Sequence, residues 1–200
     1  YEAETLTASV IRNQISHKHI RWFNTDTVSQ YIALMEQKYN VEYAPEQRQA
    51  ILMALQHGLS IITGGPGTGK TTVIRAICDI YSACNRTHEI YLCAPTGRAA
   101  KRMEEATGYT AKTIHRLLKY NPEYGSFEYG IDNPLPGPGL LIVDEVSMMD
   151  IELASNLLSA CEDLQVVMVG DVDQLPSVGP GSVLKDCIAS GRVPTTRLRF

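Results

Sequence analysis

The chain has 200 residues, 44% hydrophobic and 20% charged, a composition that supports a globular core and excludes a mainly disordered or collagen-like chain. No apolar run approaches the ~18 residues of a membrane-spanning helix, so no membrane partner is expected. The formal net charge of −4 excludes an overall basic nucleic-acid footprint and leaves local patches as the surfaces of interest.

The opening residues YEAETLTASV lack a basic stretch followed by an apolar one, so no signal peptide is visible. The missing initiator Met reads as a fragment or a processed chain, with tag trimming as the plain alternative. Residues 1–42 read as an N-terminal helical segment. Within it Val28, Tyr31, Ile32 and Met35 follow helical spacing after the cap-like Thr25-Asp26. The segment either belongs to a preceding helical region or braces the domain beside it. Pro45 opens a helix through Gln56, which Gly58 ends.

Beyond Gly58, short apolar runs alternate with helical stretches. The runs fall at 59–63, 89–94, 140–144, 165–169 and 195–199, and the helices at 70–84, 98–107, 151–161 and 181–190. This rhythm predicts an α/β domain over 43–200, with a mostly parallel sheet and helices on both faces. The runs are continuously apolar, as strands buried on both sides are. Residues 121–139 carry four prolines and four glycines, which predicts a surface insertion between two strands, with 126–129 as one strand of a small hairpin. Cys78, Cys84, Cys93, Cys161 and Cys187 are odd in number and form no C-x-x-C. They read as buried free thiols of a reducing, cytoplasmic compartment rather than as zinc ligands or disulfides.

The strongest chemical signal is Gly64-Gly65-Pro66-Gly67-Thr68-Gly69-Lys70-Thr71, which matches G-x-x-x-x-G-K-[ST] between a strand-like and a helical pattern. Glycines let such a loop turn its N–H groups around phosphate oxygens, and the helix after it adds its dipole. Gly65, Pro66, Gly67, Thr68, Gly69, Lys70, Thr71 and Thr72 form the predicted nucleotide-binding set. Lys70 reaches the β- and γ-phosphates, and the Thr71 hydroxyl is a ligand for Mg²⁺. In LLIVDE, four apolar residues carry Asp144 and Glu145 to the carboxyl end of a strand, where open α/β sheets hold ligands. Asp144 is predicted to hold Mg²⁺ through water and Glu145 to position the attacking water. The run VVMVGDVDQLP ends a buried strand in a polar loop. There Gln174 suits a γ-phosphate sensor, while Asp171 and Asp173 read as turn residues.

Taken in order, GGPGTGKTT, CAPTGRAAKRM, TIHRLL, LIVDEVSMMD and VMVGDVDQLPSVGPGSVL resemble the first motor domain of superfamily 1B DNA helicases. The resemblance is to the RecD/TraA group, similar to the exodeoxyribonuclease V alpha subunit, and runs from about Tyr43 to the C-terminus. It implies a RecA-like P-loop NTPase fold, ATP and Mg²⁺ as cofactors, and single-stranded DNA as a partner in recombination or repair. It assigns Gln47 to adenine, Lys70, Glu145 and Gln174 to catalysis, and Thr71 and Asp144 to the metal. Pro95, Thr96 and Arg98 match a loop on the single-strand backbone, and Thr113 and His115 a further motif near the DNA path. The 121–139 insertion sits where the family carries its pin hairpin.

The residues themselves leave some of this open. From Arg98 to Lys119 there are six Lys or Arg against two acids, a patch for phosphates or a solvated helix face. His115 reads equally as a structural histidine. Tyr109, Tyr120, Tyr124, Phe127 and Tyr129 are candidates for base stacking, though packing explains each as well. The family pairs two RecA-like domains, and the second supplies arginines to the ATP cleft. No second domain fits after Gln174, so the chain is expected to be the first motor half of a longer protein, slow or inactive alone, with nuclease or helicase subunits as further partners. Other readings are a nucleotide- and DNA-binding module without turnover and a P-loop ATPase switch that does not act on DNA. No [NT]KxD base reader or LSGGQ-like signature is present, which argues against a GTPase and an ABC-type ATPase.

Overall fold

The computed structural model describes residues 1–16, 23–175 and 181–200. Helix α1 (Glu2–Ser16) precedes α2 (Thr25–Tyr39), which is started by Asn24, whose side chain accepts from the Thr27 N–H. The cap is thus one residue earlier than the Thr25-Asp26 pattern suggested, because the Asn24 oxygen satisfies a first-turn N–H that has no partner within the helix. Helix α3 (Pro45–Gln56) begins on its proline, whose fixed φ and missing N–H suit the first helical position.

The remaining elements are β1 (Leu59–Thr63), α4 (Lys70–Cys84), β2 (Glu89–Ala94), α5 (Gly97–Thr107), β3 (Ala111–Thr113) and α6 (Ile114–Leu117). A hairpin of β4 (Tyr120–Asn121) and β5 (Ser126–Phe127) comes next, then β6 (Gly139–Val143), a 3-10 turn (Val146–Met148) and α7 (Ile151–Ser159). The chain closes with β7 (Leu164–Gly170), α8 (Val183–Ala189) and β8 (Thr195–Arg197). Six strands form one sheet in the order β3-β2-β6-β7-β1-β8, and every pairing in it is parallel. Strand β3 extends the sheet by an edge of three residues, too short for a period to show in the sequence.

Both faces of the sheet are covered, as a parallel sheet requires. Leu140, Ile142, Val167 and Val169 meet the residues of α2, α3 and α4 in one core. Their neighbours Leu141, Val143, Val166 and Met168 enter a second core with α6, α7 and α8. The first two helices lie on opposite faces. Phe23, Val28, Ile32 and Met35 join the first core, while Val10 and Ile11 of α1 pack against the second. Gln14 anchors α1 by donating from its amide to the Cys161 carbonyl at 2.5 Å. Four cysteines are buried and Cys84 is half-buried, so the expectation of burial fails only for Cys84, near the end of α4. No described helix is long and apolar enough to cross a membrane.

Candidate functional site

Every chemical motif of the chain leaves the sheet at its carboxyl edge. Strand β1 runs into the glycine-rich loop, and the Gly64 N–H donates to the Gly170 carbonyl at 3.2 Å, tying the loop to the end of β7. Gly67 and Gly69 have φ of 76° and 83°, a region other residues enter only at a cost. The Thr68 hydroxyl donates to the Gly65 carbonyl at 2.8 Å and braces the turn. Lys70 opens α4 and folds its ammonium onto the carbonyls of Gly64 and Gly65, at 2.6 and 2.9 Å. The loop therefore ends at the N-terminus of a helix of 15 residues, where unpaired N–H groups and the dipole favour an anion.

Two strands away, β6 delivers Asp144 and Glu145. The Asp144 N–H donates to the Cys93 carbonyl at 3.0 Å, and its carboxylate accepts from the Glu145 N–H at 2.7 Å. Burial is the largest influence on the Asp144 carboxyl and pushes it above its ordinary value. The Glu145 N–H opposes that, the Glu145 charge adds to it, and Lys70 and Arg102 subtract. Glu145 has φ 54° and ψ 41°, a left-handed conformation that costs a non-glycine residue roughly 1–2 kcal/mol. Its carboxylate lies 3.3 Å from the Arg102 guanidinium of α5.

Strand β7 ends at Gly170. Asp171 is buried and shapes the turn after the strand. Its carboxylate accepts from the Asp173 N–H at 3.0 Å, and its carbonyl accepts from the Gln174 N–H at 3.3 Å. The Gln174 amide oxygen accepts from the Ser147 hydroxyl at 3.1 Å. Residues 176–180 of this motif lie outside the described residues. Pro66, Lys70, Thr71, Asp144, Glu145 and Gln174 line one cavity of about 290 Å³, together with Arg102, Met103 and Asp171.

Gln47 stands outside that cavity, against the glycine-rich loop. Its amide nitrogen donates to the Thr68 carbonyl at 3.2 Å, and its oxygen accepts from the Ala44 N–H at 2.9 Å. The other predicted residues gather further along the same sheet edge. Pro95 comes directly after β2. Thr96 caps α5, accepting from the Ala99 N–H at 3.2 Å, and Arg98 is exposed on the first turn. Thr113 ends β3 and caps α6, accepting from the Arg116 N–H at 3.2 Å. His115 is exposed, with its ring 5.3 Å from Tyr120 and 5.5 Å from Phe127. It therefore packs on the base of the hairpin, whose tip carries the exposed Tyr124.

The basic patch is smaller than its sequence suggests. Lys101 pairs with Glu105, Arg102 with Glu145, and Lys119 with Glu128. Among the described residues Arg98, Lys112 and Arg116 make no ion pair, and all three are exposed. Two charged residues of the cavity escaped the sequence pattern. Arg102 looked like one more patch cation because its partner lies far along the chain. Asp171 looked like a turn residue, although it comes after a buried strand as Asp144 does.

A model of the AAA domain family matches residues 47–180. The chain is 47% identical over 137 residues to the ATP-dependent RecD2 DNA helicase of Deinococcus radiodurans, covering 68% of this chain and 18% of that protein. It is 39% identical over 166 residues to the RecBCD enzyme subunit RecD of Mycolicibacterium smegmatis, with 72% and 30% covered. The RecD subunit of Haemophilus influenzae is 32% identical over 210 residues, with 92% and 32% covered. The chain thus spans a third or less of the length of these curated relatives. Among solved structures, the Pif1 helicase of Candida albicans superposes with a TM-score of 0.53 at 22% identity, over 80% of this chain and 41% of that one, and shares the fold. With the family model spanning the glycine-rich loop, the Asp144-Glu145 strand end and Gln174, this chain belongs to the AAA domain family as a RecD-type AAA domain.

Proposed function

We propose that this domain is the ATP-binding first motor domain of an ATP-dependent DNA helicase or translocase acting on single-stranded DNA in recombination or repair. The observation that carries the reading is the single cavity lined by Lys70, Thr71, Asp144, Glu145 and Gln174, beside a helix whose capped N-terminus bears Thr96 and Arg98.

The residues fit a magnesium nucleotide. Among the described residues no three His, Cys, Asp or Glu converge to hold a metal by themselves. That suits Mg²⁺, which takes one or two protein oxygens and the substrate phosphates. The Thr71 hydroxyl and the Asp144 carboxylate are the oxygens at hand, and the ion would supply charge for the phosphates. The Lys70 ammonium exchanges its loop carbonyls for the β- and γ-phosphates. The Gln47 amide keeps one donor and one acceptor beyond the bonds it makes to Thr68 and Ala44, enough for the edge of adenine. Glu145 receives the proton of the attacking water, whose oxygen bonds to the γ-phosphorus as the bond to the leaving diphosphate oxygen breaks. Gln174 holds the γ-phosphate through its amide and loses that contact after hydrolysis.

Thr96, Arg98 and Thr113 face the strand in this reading, with Pro95 shaping the loop and His115 and the hairpin beside it. A second RecA-like domain of the same protein completes the ATP cleft. The two RecD relatives named as RecBCD subunits support nuclease or helicase subunits as partners. The test is ATP hydrolysis by the full-length protein, with and without single-stranded DNA. Strong stimulation that is lost in Lys70→Ala is the expected result. Equal rates with and without DNA would remove the DNA motor and leave an ATPase switch.

A further inference from the structure

The amide of Gln47 is locked in one orientation by backbone at both ends. Its oxygen accepts from the Ala44 N–H at 2.9 Å, and its nitrogen donates to the Thr68 carbonyl at 3.2 Å. Turned over, the amide would set its NH₂ against the Ala44 N–H and its oxygen against the Thr68 carbonyl, losing both bonds. The remaining donor and acceptor are therefore offered to a base in a fixed arrangement. Adenine presents an acceptor at N7 beside the donor at N6, which matches that pair. Guanine has the acceptor O6 in place of the amino group, so the Gln47 oxygen would face a second acceptor.

The partner of that amide is itself held, and from outside α3. The Ala44 N–H and the Tyr43 carbonyl belong to one planar peptide group. The carbonyl accepts from Arg48 Nε at 3.2 Å, and Arg48 Nη2 donates to Glu36 Oε1 at 2.6 Å. The same Glu36 oxygen accepts from the Tyr43 N–H at 2.9 Å. The Glu36 side chain is only 18% exposed, so its bonds are less screened than those of a surface pair. Glu36 stands on α2, which is tied to α4. The Tyr39 hydroxyl donates to Asp79, and the Arg75 guanidinium lies 3.6 Å from the centre of the Tyr39 ring. Helix α4 begins at Lys70, so the frame that holds Gln47 and the loop that suits phosphate share one helix.

Resting on the adenine reading of Gln47 above, we infer that Glu36 is a positioning residue which, through Arg48 and the Tyr43–Ala44 peptide, fixes the Gln47 amide and so sets the preference for adenine over guanine nucleotides. Without Glu36, the Arg48 guanidinium is free to leave the Tyr43 carbonyl, and the peptide turns. The Ala44 N–H then no longer holds the Gln47 oxygen, and the amide is free to turn over. Helix α2, outside the phosphate-binding elements, thereby serves the nucleotide site without touching the nucleotide.

The experiment is steady-state hydrolysis of ATP and of GTP by the full-length protein with saturating single-stranded DNA, for wild type, Glu36→Ala, Glu36→Gln, Arg48→Lys and Gln47→Ala. A hydrogen bond to the base is worth about two- to ten-fold in affinity, so Glu36→Ala raises the KM for ATP, and lowers the ATP-over-GTP ratio of kcat/KM, by about that factor. The kcat for ATP stays unchanged, because the residues placed on the phosphates are intact. Glu36→Gln, which keeps an acceptor for both donors, retains most of the ratio. Arg48→Lys keeps the charge but lacks the Nε donor, so its ratio falls as in Glu36→Ala, and it reads the same path where Glu36→Ala does not fold. Adding Glu36→Ala to Gln47→Ala lowers the ratio no further, because the effect runs through that amide. Tyr39→Phe removes the bond to Asp79 but leaves Glu36 and Arg48 in place, so stability falls while the ratio keeps its wild-type value. An unchanged ratio in Glu36→Ala and Arg48→Lys, a loss of kcat without a change in KM, or an equal fall of the ratio in Tyr39→Phe would overturn the inference and leave Gln47 on adenine. A Gln47→Ala variant that keeps the full preference for ATP would overturn both.

Discussion

Replacing Gly69 by alanine tests the contact between α3 and the glycine-rich loop. Gly69 has φ 83°, where an alanine costs about 1–2 kcal/mol. A Cβ at that position would also run into the Gln47 amide nitrogen, which donates to the Thr68 carbonyl. Displacing Gln47 loses that hydrogen bond, worth roughly 0.5–1.5 kcal/mol. The two effects sum to about 1.5–3.5 kcal/mol, a drop of roughly 1 M in the urea midpoint. Urea unfolding followed by fluorescence and circular dichroism measures it. Gln47→Ala removes the obstacle and loses the hydrogen bond by itself, so the double variant should be more stable than the sum of the single losses by about 1 kcal/mol. Strict additivity, or a cost of Gly69→Ala below about 0.5 kcal/mol, would refute the steric coupling of Gln47 to the loop.

The site leads to two more expected outcomes. The Asp144 carboxyl is raised by burial, so its contribution to stability is fully present below the ordinary 3.8 and is lost as the pH climbs through the raised value. Asp144→Asn should therefore be more stable than wild type at neutral pH, with the gain closing on acidification, and equal stability across a pH series of unfolding curves would refute it. Arg98→Ala should weaken single-strand binding while leaving ATP binding intact, with the salt dependence of the affinity reduced by about one phosphate contact; an unchanged slope in a salt titration would remove Arg98 from the strand.

The features legible in the sequence are those that rest on neighbours along the chain. The helices expected at 45–56 and 70–84 coincide with α3 and α4, because a proline at one start and a glycine loop at the other are local instructions. The central strands β1, β6 and β7 lie within one residue of the apolar runs at 59–63, 140–144 and 165–169, since burial on both faces leaves an unbroken apolar run. Two short pieces were not legible, whereas the runs at 126–129 and 195–199 contain β5 and β8. Strand β3 has three residues and α6 has four, and both exist because the sheet edge and the hairpin base receive them.

Residue type and spacing were enough for a parallel α/β domain with a phosphate-type loop and an acidic strand end. The order β3-β2-β6-β7-β1-β8 comes from packing between distant segments, and with it the meeting of Lys70, Asp144 and Gln174 in one cavity. The same packing places α1 and α2 on opposite faces, and the inward side of α1 mixes buried Thr7 and Gln14 with Val10 and Ile11, so the sequence does not say which face it covers. The Arg102–Glu145 pair likewise belongs to tertiary structure. An ion pair between residues so far apart has no local pattern, and it forms only where a parallel sheet carries the ends of separate strands to one edge.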